Sequence, residues 1–114
     1  MTGGTISGNT TGDCGGGVYM WGSAAFNMRG GTITGNAARE YGGGVCVVTL
    51  ADFTKTGGII TGYSSDQASG NAVRDNQGVL SRRGHAVYQS GYRRETTAGP
   101  EVNLSSSINA NWEN

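Results

Sequence analysis

Gly3-Gly4-Thr5-Ile6-Ser7-Gly8-Asn9 returns as Gly30-Gly31-Thr32-Ile33-Thr34-Gly35-Asn36, and again as Gly57-Gly58-Ile59-Ile60-Thr61-Gly62. Both steps are 27 residues long. Gly15-Gly16-Gly17-Val18 returns as Gly42-Gly43-Gly44-Val45, and Phe26 as Phe53, at the same spacing. One period shared by three separate motifs marks a repeat architecture. The third copy keeps the order of the motifs but delays them. Gly-Asn comes back at Gly70-Asn71, eight residues late, and Gly84-His85-Ala86-Val87-Tyr88 fifteen late. Val102-Asn103-Leu104, which alternates like Phe26-Asn27-Met28, is twenty-two late. Insertions near residues 63–70, 72–83 and 89–101 account for the three delays.

Each copy contains short runs that alternate with period two: Thr-Ile-Ser, Val-Tyr-Met and Phe-Asn-Met in the first. Such runs, bounded by glycine, predict strands with one face buried. Nowhere do apolar residues recur at helical spacing between caps. Three strands per period joined by Gly-rich corners predict an all-β, right-handed, single-stranded parallel β-helix. It would form one domain over 1–114: coils at about 3–29, 30–56 and 57–104, and a tail or cap at 105–114. Stacked coils would place Ile6, Ile33 and Ile60 in one inward column, Val18, Val45 and Val87 in a second, and Phe26, Phe53 and Val102 in a third. Asn9, Asn36 and Asn71 would form a ladder of side-chain amides at one corner. A β-sandwich needs tight hairpin turns, yet Asn-Gly and Asp-Gly are absent, and a sandwich gives no reason for the period.

The chain has 114 residues, of which 22 are Gly and one is Pro, with eight acidic and eight basic side chains. A net charge of zero argues against a general nucleic-acid binder. The longest apolar run is Val45-Cys46-Val47-Val48, so no membrane insertion is expected. The first residues are neither basic nor apolar, so no export signal is expected. One His and two separated Cys do not make a metal set, and no cofactor motif is present.

Several residues invite a functional reading. Arg82, Arg83, His85, Arg93 and Arg94, with Tyr88 and Tyr92 between them, form a basic and aromatic cluster suited to a protein or acidic glycan. His85 replaces the central Gly of a glycine corner and is expected to face solvent. Asp13 and Glu40 lie one period apart, and Asp52 is in the second copy. A carboxylate pair at glycosidase spacing is the enzymatic alternative, but exposed turn acids are the simpler reading, so no catalytic residue is assigned. Cys14 lies one period below Tyr41, five positions short of Cys46. If extended, those positions span roughly 16 Å, beyond the ~7 Å limit for a disulfide. Cys46 is expected as a half-exposed free thiol between Tyr19 and Tyr88. The first coil has no cap, so its open strand edge is a candidate homo-oligomer contact, while residues 105–114 are expected to cover the other end.

The run Gly-Gly-Thr-Ile-Ser-Gly-Asn, then Gly-Gly-Gly-Val-Tyr, then Phe-x-Met resembles the β-helix repeats of bacterial surface proteins of the polymorphic-outer-membrane-protein type, and of repeat lipoproteins and adhesins. Residues 84–104 resemble the closing segment of such arrays. The resemblance implies a secreted or cell-surface, non-catalytic scaffold or recognition module, adhesin-like or self-assembling. The alternatives are a small soluble protein-binding module acting through the third-coil insertions and the open edge, and a polysaccharide-degrading fragment.

Overall fold

A computed structural model describes residues 1–48, 50–63, 66–81 and 83–89, with the backbone alone at 92–94 and 97–98. Every regular element among them is a strand. The first repeat supplies β1 (Thr5–Ser7), β2 (Val18–Met20) and β3 (Ala25–Met28). The second supplies β4 (Thr32–Thr34), β5 (Ala37–Ala38), β6 (Val45–Val47) and β7 (Asp52–Lys55). The third supplies β8 (Ile59–Ile60), β9 (Ala72–Val73) and β10 (Val87–Gln89). β11 (Tyr92–Arg94) and β12 (Thr97–Ala98) follow.

Between repeats all pairing is parallel, β1–β4–β8, β2–β6–β10, β3–β7 and β5–β9. The register follows the period. Ile6 pairs with Ile33 and Ile33 with Ile60, Val18 with Val45 and Val45 with Val87. Phe26 pairs with Phe53, their rings stacked at 5.6 Å between centroids and 13° between planes. Val102, expected to continue the phenylalanine column, lies outside the described residues, as does the expected lid over 105–114.

The core is one narrow cluster in which Met20, Met28, Ile33, Val45, Val47, Phe53, Ile60 and Val87 are buried. Each large apolar side chain removed from water stabilises by about 1.5–3 kcal/mol. Parallel pairing alone cannot close a core this thin at its polar corners, and asparagines do so. Asn36 Nδ2 donates to Ile6 O, Thr34 O and Asn71 Oδ1 at 3.0, 3.1 and 2.9 Å, while its Oδ1 accepts from Asn9. Asn71 Nδ2 donates to Ile33 O and Thr61 O at 2.8 and 2.7 Å. Buried amides can remain only because every donor and acceptor finds a partner.

The insertions leave this register intact. The chain leaves the ladder after Gly62, which bridges to Asn71, and Asn71 rejoins it directly on Asn36. The second insertion is shorter than expected, because Ala72 and Val73 remain in the ladder and the main chain re-enters at Arg83, whose carbonyl accepts from Gly42 N at 3.0 Å. The third contains β11 and β12. β11 reverses direction and pairs antiparallel with β10, and β12 pairs antiparallel with β8. The reversal lays strands along the last open edges of two sheets.

The glycine corners are where the extended-chain expectation fails. Gly15 and Gly42 have φ of +71° and +63°, a left-handed conformation that glycine adopts without strain. The chain therefore turns back instead of advancing, and a Cβ on Gly42 would stand 2.8 Å from the Cβ of Cys46. Cys46 does pair between Tyr19 and Tyr88, but it is fully buried, not half-exposed. The same turn at Gly15 brings Cys14 back toward the strand pair that holds Cys46. Both cysteines are free.

Candidate functional site

Arg39 and Glu40 of the second repeat and Arg74, Asp75 and Arg83 of the third gather around two adjoining clefts. One, of 190 Å³, is lined by Arg39, Glu40, Asp75, Asn76, Gln77, Ser81 and Arg83. The other, of 260 Å³, shares Arg39, Asp75 and Asn76 with it and adds Arg74 and Thr10 among its walls. The ladder explains this convergence. Arg39 follows β5 and Arg74 follows β9, so the two arginines occupy equivalent positions one repeat apart. The insertion between Arg74 and Arg83 then forms the outer wall. Asp75 shapes it by accepting from Gln77 N and Val79 N, both at 2.9 Å.

Two guanidinium groups lie on tyrosine rings. Arg83 Cζ is 5.2 Å from the Tyr41 ring centroid and Arg74 Cζ is 5.2 Å from that of Tyr63. Tyr41 in turn stacks on Tyr88, centroids 4.4 Å apart. A cation over an aromatic face gains roughly 0.5–1 kcal/mol at an exposed site, enough to orient a planar donor array. Arg74 also donates to Gly78 O at 3.3 Å, and Arg83 sits 3.7 Å from Glu40. Arg39 is exposed; its backbone N donates to Asp13 O at 3.1 Å, and its guanidinium makes no ion pair or hydrogen bond among the described residues.

The sequence-derived cluster is redistributed. Arg83 and Tyr88 belong to the site. Arg82 lies outside the described residues. Tyr92, Arg93 and Arg94 form β11, with Arg93 opposite Tyr88 and Arg94 opposite Val87 in the antiparallel register. His85 does not face solvent: it is 3% exposed, and its Nδ1 accepts from Val73 N at 2.9 Å. The ladder gives the reason. The equivalent amide two levels down the column, Thr11 N, donates to Ala37 O of the repeat above it. Among the described residues no further parallel strand lies above Val73, and the imidazole satisfies the amide there. His85 is therefore an edge cap and not a contact surface. Ser81 N caps the neighbouring Val73 O at 3.0 Å in the same way.

The carboxylates are engaged with neighbours. Asp13 Oδ1 accepts from the Cys14 thiol at 3.2 Å, and Glu40 faces Arg83. Asp52 lies on β7, away from both clefts. Among the described residues no group of three or more His, Cys, Asp or Glu could hold a metal ion, and no helix is long and apolar enough to cross a membrane.

Sequence reasoning missed Arg39, Arg74, Tyr41 and Tyr63. A signal existed, since Ala37-Ala38-Arg39-Glu40 and Ala72-Val73-Arg74-Asp75 are versions of one motif at the delayed spacing. No family model matches the chain, and neither a characterised protein nor a solved structure is significantly similar to it.

Proposed function

We propose that the stacked parallel sheets are the sides of a three-coil, right-handed β-helix, and that this solenoid is a non-catalytic recognition scaffold of a secreted or surface-displayed kind. Its ligand is an acidic glycan held at the cleft of Arg39, Arg74 and Arg83. One observation carries the reading: three guanidiniums border two contiguous clefts, and two of them are oriented by tyrosine rings. Arginine presents a planar fork that matches carboxylate and sulfate groups. The whole chain has no net charge, so any retention on a polyanion must come from a local patch.

Chromatography on immobilised heparin at low ionic strength tests it. The wild type is retained and elutes earlier as salt rises. The double substitution Arg39→Glu and Arg83→Glu abolishes retention, while Arg29→Glu, away from both clefts, leaves it unchanged. Passage of the wild type through the column unretained refutes the glycan reading.

A second reading, self-assembly, is favoured by a different observation. β1, β2 and β3 end their sheets, and Met1, Ile6, Val18 and Phe26 beside them are only partly buried. Unpaired strand edges with apolar side chains are templates for another chain. Sedimentation showing only monomer at micromolar concentration removes this reading and leaves the cleft untouched.

A further inference from the structure

The two cysteines are the feature that neither reading uses. They are remote in sequence and belong to successive repeats, yet the fold places them side by side. Gly15 N donates to Tyr41 O at 3.0 Å, which fixes Cys14 against the second repeat. A Cβ on Gly15 would stand 2.8 Å from Tyr19 Cα, and Tyr19 is the register partner of Cys46. The left-handed turn at Gly15 thus folds Cys14 back onto the strand pair that contains Cys46. One repeat up, the same turn at Gly42 stacks Tyr41 on Tyr88, the next register partner of Cys46, so Cys14 lies against Cys46 as Tyr41 lies against Tyr88; the Cys14 S–H donates to Asp13 Oδ1 at 3.2 Å. Cys46 is inaccessible to solvent, whereas Cys14 is partly exposed.

We propose that Cys14 and Cys46 are a redox pair that closes to an intramolecular disulfide, stapling the first repeat to the second when the protein meets a small-molecule disulfide. The unequal exposure sets the order of events. The Cys14 thiolate attacks one sulfur of oxidised glutathione, and one glutathione leaves as its thiolate. Cys46, already in contact, then gives up its proton to solvent and attacks the Cys14 sulfur. The Cys14–glutathione bond breaks, the second glutathione leaves, and the protein disulfide forms. Two electrons pass from the protein to glutathione, and both thiol protons end on the released glutathione thiols. Burial of both sulfurs, with the Asp13 carboxylate beside Cys14, holds the two thiols above their ordinary pKa, so the first step is slow at neutral pH and quickens in mild alkali.

The first repeat is where such a staple has most effect, because it is an end repeat and most of its residues are exposed. The bond would close the loop from residue 14 to residue 46, restricting the unfolded chain.

The test incubates the folded protein with oxidised glutathione at pH 8.5, quenches in acid, alkylates remaining thiols and maps peptides by mass. Wild type is expected to lose both thiols, to gain no glutathione, and to yield one peptide joining Cys14 to Cys46. It should remain the same size, and its melting temperature should rise by roughly 10 °C or more, reversibly with dithiothreitol. Cys46→Ala is expected to stop at the glutathione adduct on Cys14. Cys14→Ser should leave Cys46 unmodified in the folded state. A wild type that retains glutathione on Cys14, joins two chains through either cysteine, or keeps both thiols under these conditions overturns the proposal. The wild-type peptide map decides this even if a variant fails to fold.

Discussion

Replacing Asn36 by Ala tests whether the amide ladder holds the corner or merely occupies it. The substitution removes two N–H groups shared among Ile6 O, Thr34 O and Asn71 Oδ1, and an oxygen that accepts twice from Asn9. A hydrogen bond contributes about 1 kcal/mol net, and a buried group left without a partner costs more. The Asn9 groups are at an exposed position and can turn to water, so they add little. The donated bonds lie toward the interior, where Asn36 is 1% exposed; losing two of them and leaving a buried acceptor without a partner gives ~3–4 kcal/mol. That is a large fraction of the 5–15 kcal/mol typical of a whole domain, roughly. Asn9→Ala, losing bonds to Ser7 O and Asn36 Oδ1 at the exposed end of the ladder, should cost about 1 kcal/mol or less. Asn36→Asp keeps the shape but turns an oxygen toward three acceptors and buries a charge, so it should exceed the cost of Ala at neutral pH. Its carboxyl pKa would be raised on folding. The folded form is therefore favoured fully only below about 3.9, the unfolded value, and the penalty grows as pH rises above it. Urea unfolding followed by tryptophan fluorescence reads all three variants, with the slope required to stay constant. Equal costs for Asn9→Ala and Asn36→Ala, or a cost below about 1 kcal/mol at Asn36, would refute the reasoning.

Three further outcomes follow from the same geometry. Gly44→Ala should destabilise by about 3 kcal/mol or more, because its Cβ would meet Ala86 O at 2.6 Å and Asn71 Nδ2 at 2.9 Å; Gly12→Ala, with nothing within 4 Å, should stay within about 0.5 kcal/mol in the same urea assay. His85→Ala should cost roughly 2–4 kcal/mol in thermal or urea unfolding, since it opens a cavity and strips the buried Val73 amide of its acceptor. The pH dependence of the reduced protein should reflect its thiols. Both are raised on folding, chiefly by burial, so their contribution is whole below the unfolded thiol value of about 8.5 and is lost as pH rises past it. Melting temperatures measured from pH 7 to 10 should fall more steeply for the reduced wild type than for the Cys46→Ala variant.

The sequence carried the strand ladder openly, because like residues recur at fixed spacing and a parallel stack needs nothing more to set its register. Ile6, Ile33 and Ile60 could be placed without coordinates. Turns were harder, since a run of three glycines permits an extended path as readily as the tight reversal taken at Gly15 and Gly42. That one ambiguity misplaced Cys46 relative to solvent and separated it from Cys14. His85 was misread for a related reason: a corner position faces solvent only if nothing must cap the strand beneath it. The site was half visible in Arg83 and Tyr88. Arg39 and Arg74 were obscured because an eight-residue delay hides their equivalence from any search at the 27-residue period.

The columns also carry a direction. Arg29 N donates to Met1 O, just as Thr56 N donates to Met28 O, so Met1, Met28 and Lys55 occupy successive levels of one column. Met20, Val47 and Gln89 occupy another. The first column turns from Met to Lys at the second repeat and the other from Val to Gln at the third, and both Lys55 and Gln89 are buried. Gln89 Oε1 is buried with no hydrogen-bond partner among the described residues. The reversed strands β11 and β12 occupy the outer edges of β10 and β8, so neither edge is open to another parallel strand. At the opposite end β1 and β2 are last in the same two sheets, beside the partly buried Ile6 and Val18. In these two sheets a further strand in the parallel pattern can therefore be added only at the first repeat, beside β1 and β2.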